Sequence, residues 1–200
     1  MLILRALWKA LQVMMRNTAR NDLCDGLVAL GLNARISERG REEEKIDGSA
    51  FGVIDVGDSP ICWVNLRRKV HLPSFSVGLF PQYEDYIDYG IPSDVAIDIR
   101  ANLIMVRTTP IFGKKYDVRW EIDAFSLPDE LGITSRLNGD PTLRAPLLDS
   151  EVVMIRSHSR YNCWVITAKN KTPPSKELWE CYESTARHLL ANTGGIEEIS

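Results

Sequence analysis

Apolar and polar positions recur along this chain with two different periods, and the switch between them separates helical ends from a hairpin-rich middle. Over residues 2–20 the polar positions Arg5, Lys9, Gln12, Arg16 and Arg20 recur at spacings of three and four. On a helix they share one stripe about 80° wide. Leu2, Ile3, Leu4, Leu7, Trp8, Leu11, Val13, Met14 and Met15 cover much of the rest. That apolar arc is wider than a surface helix normally presents, so the segment is expected to be covered on more than one side. Asn21-Asp22 is expected to cap a second short helix carrying Leu23, Leu27 and Leu30, stopped at Gly31.

The dense charge run from Glu38 to Asp47 reads as a solvated turn. A hairpin follows, Phe51 to Val56 and Ile61 to Leu66, across the turn Gly57-Asp58-Ser59-Pro60. Residues 72–94 read as irregular, punctuated by Pro73, Pro81 and Pro92. Val95 to Ile99 and Leu103 to Thr108 are expected to pair as a second hairpin. Tyr116, Val118, Trp120 and Ile122 alternate with Asp117, Arg119, Glu121 and Asp123, a half-buried strand. Leu127 to Leu137 reads as a short helix, broken at Gly139-Asp140-Pro141 and resumed over Thr142 to Leu148. Glu151 to Ser157 and Asn162 to Ala168 form a third hairpin, apolar on both faces and therefore central. After Pro173-Pro174, Ser175 caps a final helix with Leu178, Cys181, Tyr182, Thr185, Leu189 and Leu190 on one face.

These elements predict an α+β fold: an antiparallel sheet of several hairpins, with N-terminal and C-terminal helices packed against it. One domain is expected, with a helical segment over 1–31, a hairpin-rich sheet over 32–123, a helix-hairpin-helix part over 124–195 and a tail over 196–200. Cys62-Trp63-Val64 recurs as Cys163-Trp164-Val165, and at the same offset Ile54 matches Ile155 and Ser49 matches Ser150. A duplicated hairpin and the convergence of two buried strands both account for this echo, and five matches favour convergence.

Composition adds bounds. At 200 residues, 44% hydrophobic and 26% charged, the chain has a globular mix and needs no metal or disulfide staple. A net charge of −3 gives no long-range attraction for polyanions, so nucleic acid is not an expected partner. Cys24, Cys62, Cys163 and Cys181 form no C-x-x-C pair. All four sit among apolar residues and read as buried small hydrophobes in a reducing cytoplasm. Arg5 and Lys9 interrupt the N-terminal apolar stretch, which argues against a spanning helix or a secretory signal.

The chemical candidates are few. Gly57-Asp58-Ser59 resembles the nucleophile block of the GDSL-type esterases. That resemblance implies a serine hydrolase with Ser59 as nucleophile, deprotonated by a histidine three residues after an aspartate. Here His188 is preceded at that distance by Thr185 and His158 by Ile155, and the family's G-x-N-D block is absent. The same residues are what a hairpin turn demands. His158 and Cys163 form a second candidate, a thiol beside an imidazole, although an apolar strand raises a thiol pKa. His71 lies beside Arg67, Arg68 and Lys69, which oppose metal binding. With no Walker A loop, dinucleotide fingerprint or helical histidine pair, no cofactor or metal is expected.

Tyr83-Glu84-Asp85-Tyr86-Ile87-Asp88-Tyr89 interleaves three tyrosines with three carboxylates, and reads as a loop over the sheet or a partner-binding loop. Several of the cations Arg67, Arg68, Lys69, Arg100, Arg107, Lys114, Lys115 and Arg119 share a face if the hairpins are neighbours, and solvated strand edges that discourage sheet-to-sheet aggregation are the preferred reading. The first 21 residues carry four positive charges and no acid. Packing within the fold or against a second copy is the preferred reading of that helix, ahead of a membrane surface or an organelle presequence.

The element order is similar to that of small secretion-chaperone-like domains, which bind protein segments and often dimerise. That likeness implies a binding module and rests on no motif. The expected function is a non-catalytic protein-binding or assembly module, self-associating through the N-terminal helix. Leu7, Trp8, Leu11, Tyr83, Tyr86 and Tyr89 are its candidate contact residues. The alternatives are a small hydrolase with its site near Ser59 or His158 and Cys163, and a peripheral membrane protein.

Overall fold

The computed structural model describes residues 18–46, 50–71, 82–93, 97, 101–108, 117–123, 132–151, 153–170 and 172–191. Within them is an eight-stranded antiparallel sheet with four α-helices, an α+β fold. The strands are β1 (Asn33–Ile36), β2 (Ala50–Gly57), β3 (Trp63–His71), β4 (Gln82–Pro92), β5 (Asn102–Thr108), β6 (Asp117–Ile122), β7 (Val153–His158) and β8 (Cys163–Lys169). Their spatial order is β1-β2-β3-β4-β8-β7-β5-β6. The helices are α1 (18–29), α2 (Ile133–Gly139), α3 (Arg144–Asp149) and α4 (Lys176–Leu190). Among the described residues no helix is long and apolar enough to cross a membrane.

Alternation along each strand sorts the sheet into two faces, and cross-strand partners share a face. Ile54, Val64, Leu66, Ile87, Tyr89, Trp164, Ile166, Val153, Ile155, Leu103 and Trp120 form one core with Leu23 and Leu27 of α1 and with Trp179, Tyr182 and Leu189 of α4. This is the helix face. On the far face a smaller cluster gathers Val53, Trp63, Cys163 and Val165 under Ile46, and no described α-helix joins it. Ile46 ends the charge run, which folds as a 3-10 turn over Glu42–Lys45. The solvated turn expected there is instead pinned down: Arg41 pairs with Glu43 and Asp55, and Ile46 is buried.

Helix α4 follows the expectation closely. The Ser175 hydroxyl accepts from the Leu178 amide at 3.2 Å, and the buried face gains Trp179 and Ala186. The Tyr182 ring lies 4.7 Å and the Trp179 ring 6.0 Å from the Tyr89 ring, anchoring the helix over β4. In α1 the helix runs through Asn21 and Asp22, which cap nothing, and it stops at Gly31 with φ +88°. Arg20, placed on the solvent stripe by its spacing, is buried. Its Nη2 donates to the Ser37 carbonyl at 2.6 Å, and its Nη1 occupies the space that a side chain at Gly52 (φ +110°) would fill.

Three further expectations change. Residues 82–92 are a strand, because acids scattered through them meet cationic partners on β3 and β8. Cys62 is exposed rather than buried, in the turn just before β3. The first arm of the second hairpin (95–99) and the start of the short helix (127–131) lie outside the described residues, Ile97 excepted, and β5 pairs with β6 and β7.

The two ends of the sheet finish differently. At β6 the Asn138 side chain from α2 takes the place of a ninth strand. Its Oδ1 accepts from the Trp120 amide at 2.7 Å and its Nδ2 donates to the Trp120 carbonyl at 3.0 Å. The Asp117 carboxylate accepts from the Val118 amide beside it. Strand β1 has four residues, and its Ile36 side chain is exposed.

Candidate functional site

The far face of β3, β4, β8 and β7 concentrates the polar side chains. Asn65, Arg67, Lys69 and His71 follow each other at every second position of β3, and Glu84, Tyr86 and Asp88 do so on β4. Antiparallel register puts Asn65 opposite Asp88, Arg67 opposite Tyr86 and Lys69 opposite Glu84. Across the next seam Asp88 faces Thr167 and Tyr86 faces Lys169. The result is a ladder of hydrogen bonds running across the strands.

Asp88 is its centre and is fully buried. One carboxylate oxygen accepts from Arg67 Nε at 2.6 Å and the other from the Thr167 hydroxyl at 2.7 Å. Burial pushes the carboxyl pKa up; Arg67, the Thr167 hydroxyl and the nearby Arg156 oppose that rise. The Arg67 guanidinium also lies over the Tyr86 ring, 4.8 Å from its centroid. At the outer end, Glu84 accepts from Lys169 Nζ at 2.8 Å, the Tyr86 hydroxyl at 2.7 Å and His71 Nε2 at 2.8 Å. Those three hydrogen bonds, Lys169 first, hold the Glu84 carboxyl down at about 2.

Two features of the ladder are unfinished. The Asn65 side chain has no exposed surface, yet among the described residues neither its Oδ1 nor its Nδ2 has a hydrogen-bond partner. Such an orphaned amide is uncommon in folded proteins and costs about 1–3 kcal/mol per group. Arg67 commits Nε to Asp88, while among the described residues its two terminal nitrogens make no hydrogen bond. At the closed end, Trp63 packs flat on Gly90: a Cβ there would fall 1.7 Å from the indole.

The candidates drawn from the sequence fall in different places. Tyr83 and Tyr89 point to the helix face, Tyr83 exposed and Tyr89 buried in the core, while Tyr86 belongs to the far face. A spacing of three cannot put strand residues on one surface, because faces alternate every residue. Leu7, Trp8 and Leu11 lie outside the described residues, as do Arg100, Lys114 and Lys115. Of the other cations, Arg67 and Lys69 face the far side, and Arg68 faces the helix side, bound to Asp85 by 2.5 and 2.8 Å contacts.

Ser59 sits in the β2–β3 turn, where Asp58 has φ +58°. Its hydroxyl donates to Glu183 Oε1 at 2.8 Å and accepts from the Ile61 amide, which ties the turn to α4. The second Glu183 oxygen accepts from Arg187 Nη2 at 3.2 Å. His158 and Cys163 are register partners on the far face. Among the described residues no hydrogen bond joins the thiol to His158, and burial pushes the thiol up to about 12. His188, weighed in the sequence only as a base for Ser59, is instead paired with a different group: its Nε2 lies 2.9 Å from Asp140 Oδ2. Asp140 also caps the 3-10 turn Pro141–Leu143 by accepting from the Thr142 amide. Among the described residues no group of three or more His, Cys, Asp or Glu side chains is placed to hold a metal ion.

No family model matches the chain, and comparison with curated proteins and with solved structures finds no match.

Proposed function

We propose that this chain is a non-catalytic protein-binding or assembly module that self-associates through its N-terminal segment, with Leu7, Trp8 and Leu11 at the contact. The observation that carries this reading is the unequal finish of the sheet. Asn138 closes the β6 edge. The opposite end leaves Ile36 of β1 47% exposed, and Val28 of α1 is 50% exposed. Helix α1 is also the element into which the broad apolar arc of residues 2–15 leads. A second copy or a partner that covers Val28 and Ile36 removes exposed apolar surface from water. Buried Cys24, Cys163 and Cys181 suit a reducing cytoplasm.

Sedimentation equilibrium of the full chain tests the reading. A mass above that of one chain, falling to a single chain or giving insoluble protein in Leu7→Asp, is the expected result. A dimer indifferent to Leu7→Asp defeats the contact, and a monomeric parent chain defeats self-association.

A further inference from the structure

We propose that Asn138 is a site of spontaneous deamidation, and that its conversion to aspartate or isoaspartate opens the β6 edge of the sheet. This goes beyond the protein-binding reading above and does not depend on it.

The sequence supplies the first part of the argument. Asn138-Gly139 is the chain's one Asn-Gly pair; every other asparagine precedes a residue with a side chain. In deamidation the backbone nitrogen of the following residue attacks the asparagine Cγ. A new C–N bond forms, the side-chain nitrogen leaves as ammonia, and the resulting succinimide ring is opened by water. Attack of water at one ring carbonyl gives aspartate. Attack at the other gives isoaspartate, in which the main chain runs through Cβ. The net change is water in and ammonia out, with no oxidant, metal or enzyme. A glycine in the second position lets the backbone reach an attacking geometry that a Cβ obstructs.

The fold puts this pair where the backbone can open. Asn138 and Gly139 are the last two residues of α2, a seven-residue helix, and helix ends fray. Gly139 is exposed, and a Cβ built on it would meet nothing within 4 Å, so no neighbour crowds the attacking residue. The Asn138 Oδ1 accepts from the Trp120 amide at 2.7 Å, which draws electron density away from Cγ, the atom attacked.

The reaction removes the donor half of the edge cap. Asn138 Nδ2 donates to the Trp120 carbonyl at 3.0 Å. An ionised carboxylate only accepts, so that carbonyl loses its donor and faces a like partial charge. Isoaspartate also adds a main-chain carbon ahead of Asp140, whose carboxylate caps the turn Pro141–Leu143 and pairs with His188. Either product leaves β6 without the amide that stands in for a ninth strand.

The test ages the full chain in warm, mildly alkaline buffer and follows the tryptic peptide Leu137–Arg144, which holds no other asparagine, by mass spectrometry. That peptide is expected to gain the mass of an amide-to-acid exchange ahead of every other asparagine and to split into two isomers on chromatography. The aged protein is expected to scatter more light on heating. Gly139→Ala, at a position whose φ is not left-handed, is expected to convert about tenfold more slowly and to keep the scattering of fresh protein. Asn138→Asp, checked for folding by circular dichroism, is expected to show the aged protein's scattering at once and a lower urea midpoint than the parent. Asn138 unconverted while other asparagines convert, or Gly139→Ala ageing as fast as the parent, overturns the site. Asn138→Asp with the parent's midpoint and scattering, or a converted parent chain that scatters no more than aged Gly139→Ala, overturns the opening of the edge.

Discussion

Removing Arg67 while leaving Asp88 in place tests the ladder most directly. In Arg67→Met the Asp88 carboxylate, with no exposed surface, keeps the Thr167 hydroxyl and the field of Arg156 but loses the 2.6 Å contact to Nε. Breaking one side of a buried pair typically costs about 3–5 kcal/mol. Protonation sets a ceiling, because the carboxyl can neutralise itself. Against an ordinary aspartate value of 3.8, that route costs about 1.4 kcal/mol per pH unit, or about 4 kcal/mol at pH 7. The expected loss at pH 7 is therefore about 3–4 kcal/mol. The sign with pH follows from a folded-state pKa raised above the unfolded one. The native variant then binds more protons than the unfolded chain, so its stability falls as pH rises from about 4 toward the raised value. Urea unfolding at several pH values between about 5 and 8 measures this, with the difference from the parent protein expected to shrink toward acid. Adding Asp88→Asn to the variant is expected to recover about 2 kcal/mol relative to the sum of the single changes. A loss below about 1 kcal/mol, or a loss independent of pH, refutes the claim that Asp88 is a buried charge held by Arg67.

Two further outcomes are expected. Asn138→Ala deletes both hydrogen bonds to Trp120 and uncaps β6, so it is expected to cost about 1–3 kcal/mol in urea unfolding and to raise light scattering on heating; unchanged stability and scattering defeat the capping role. Asp140 has its pKa held down to about 2 by Thr142 and His188, so the stability it contributes is present above about 4 and is lost as pH falls toward 2. Asp140→Asn is expected to flatten the unfolding curve in that acid window by about 1 kcal/mol after solvent screening, and a parent-like slope there contradicts it.

What the sequence made legible was whatever depends on near neighbours. The alternation over Val118, Trp120 and Ile122, the hairpins β2–β3 and β7–β8, and the Ser175 cap each show in a window of a few residues. Strand β4 did not show, because Glu84, Asp85 and Asp88 are poor strand formers taken alone. What holds them in the sheet is Lys169 for Glu84, Arg68 for Asp85 and Arg67 for Asp88, partners separated by 85, 17 and 21 positions in the chain. The far-face ladder was hidden for the same reason. The polar residues at alternate positions, Asn65 to His71 and Glu84 to Asp88, form one surface only once both segments are strands in this register.

The Cys-Trp-Val echo shows how much register decides. Ile54 and Ile155 both face the helices, as a repeat requires. Yet Trp63 turns to the far face and Trp164 to the helix face. Pairing explains the difference. Ile54 lies opposite Val64 in the first hairpin, whereas Ile155 lies opposite Ile166 in the second, one residue beyond the matching position. A slip of one residue exchanges the faces of every side chain that follows. The same three letters therefore close the polar ladder with Trp63 on Gly90 in one strand and fill the helical core with Trp164 in the other. Two strands with opposite duties and unequal loops are what convergence produces, and a duplication that kept the residues but exchanged their faces would have had to rebuild both cores.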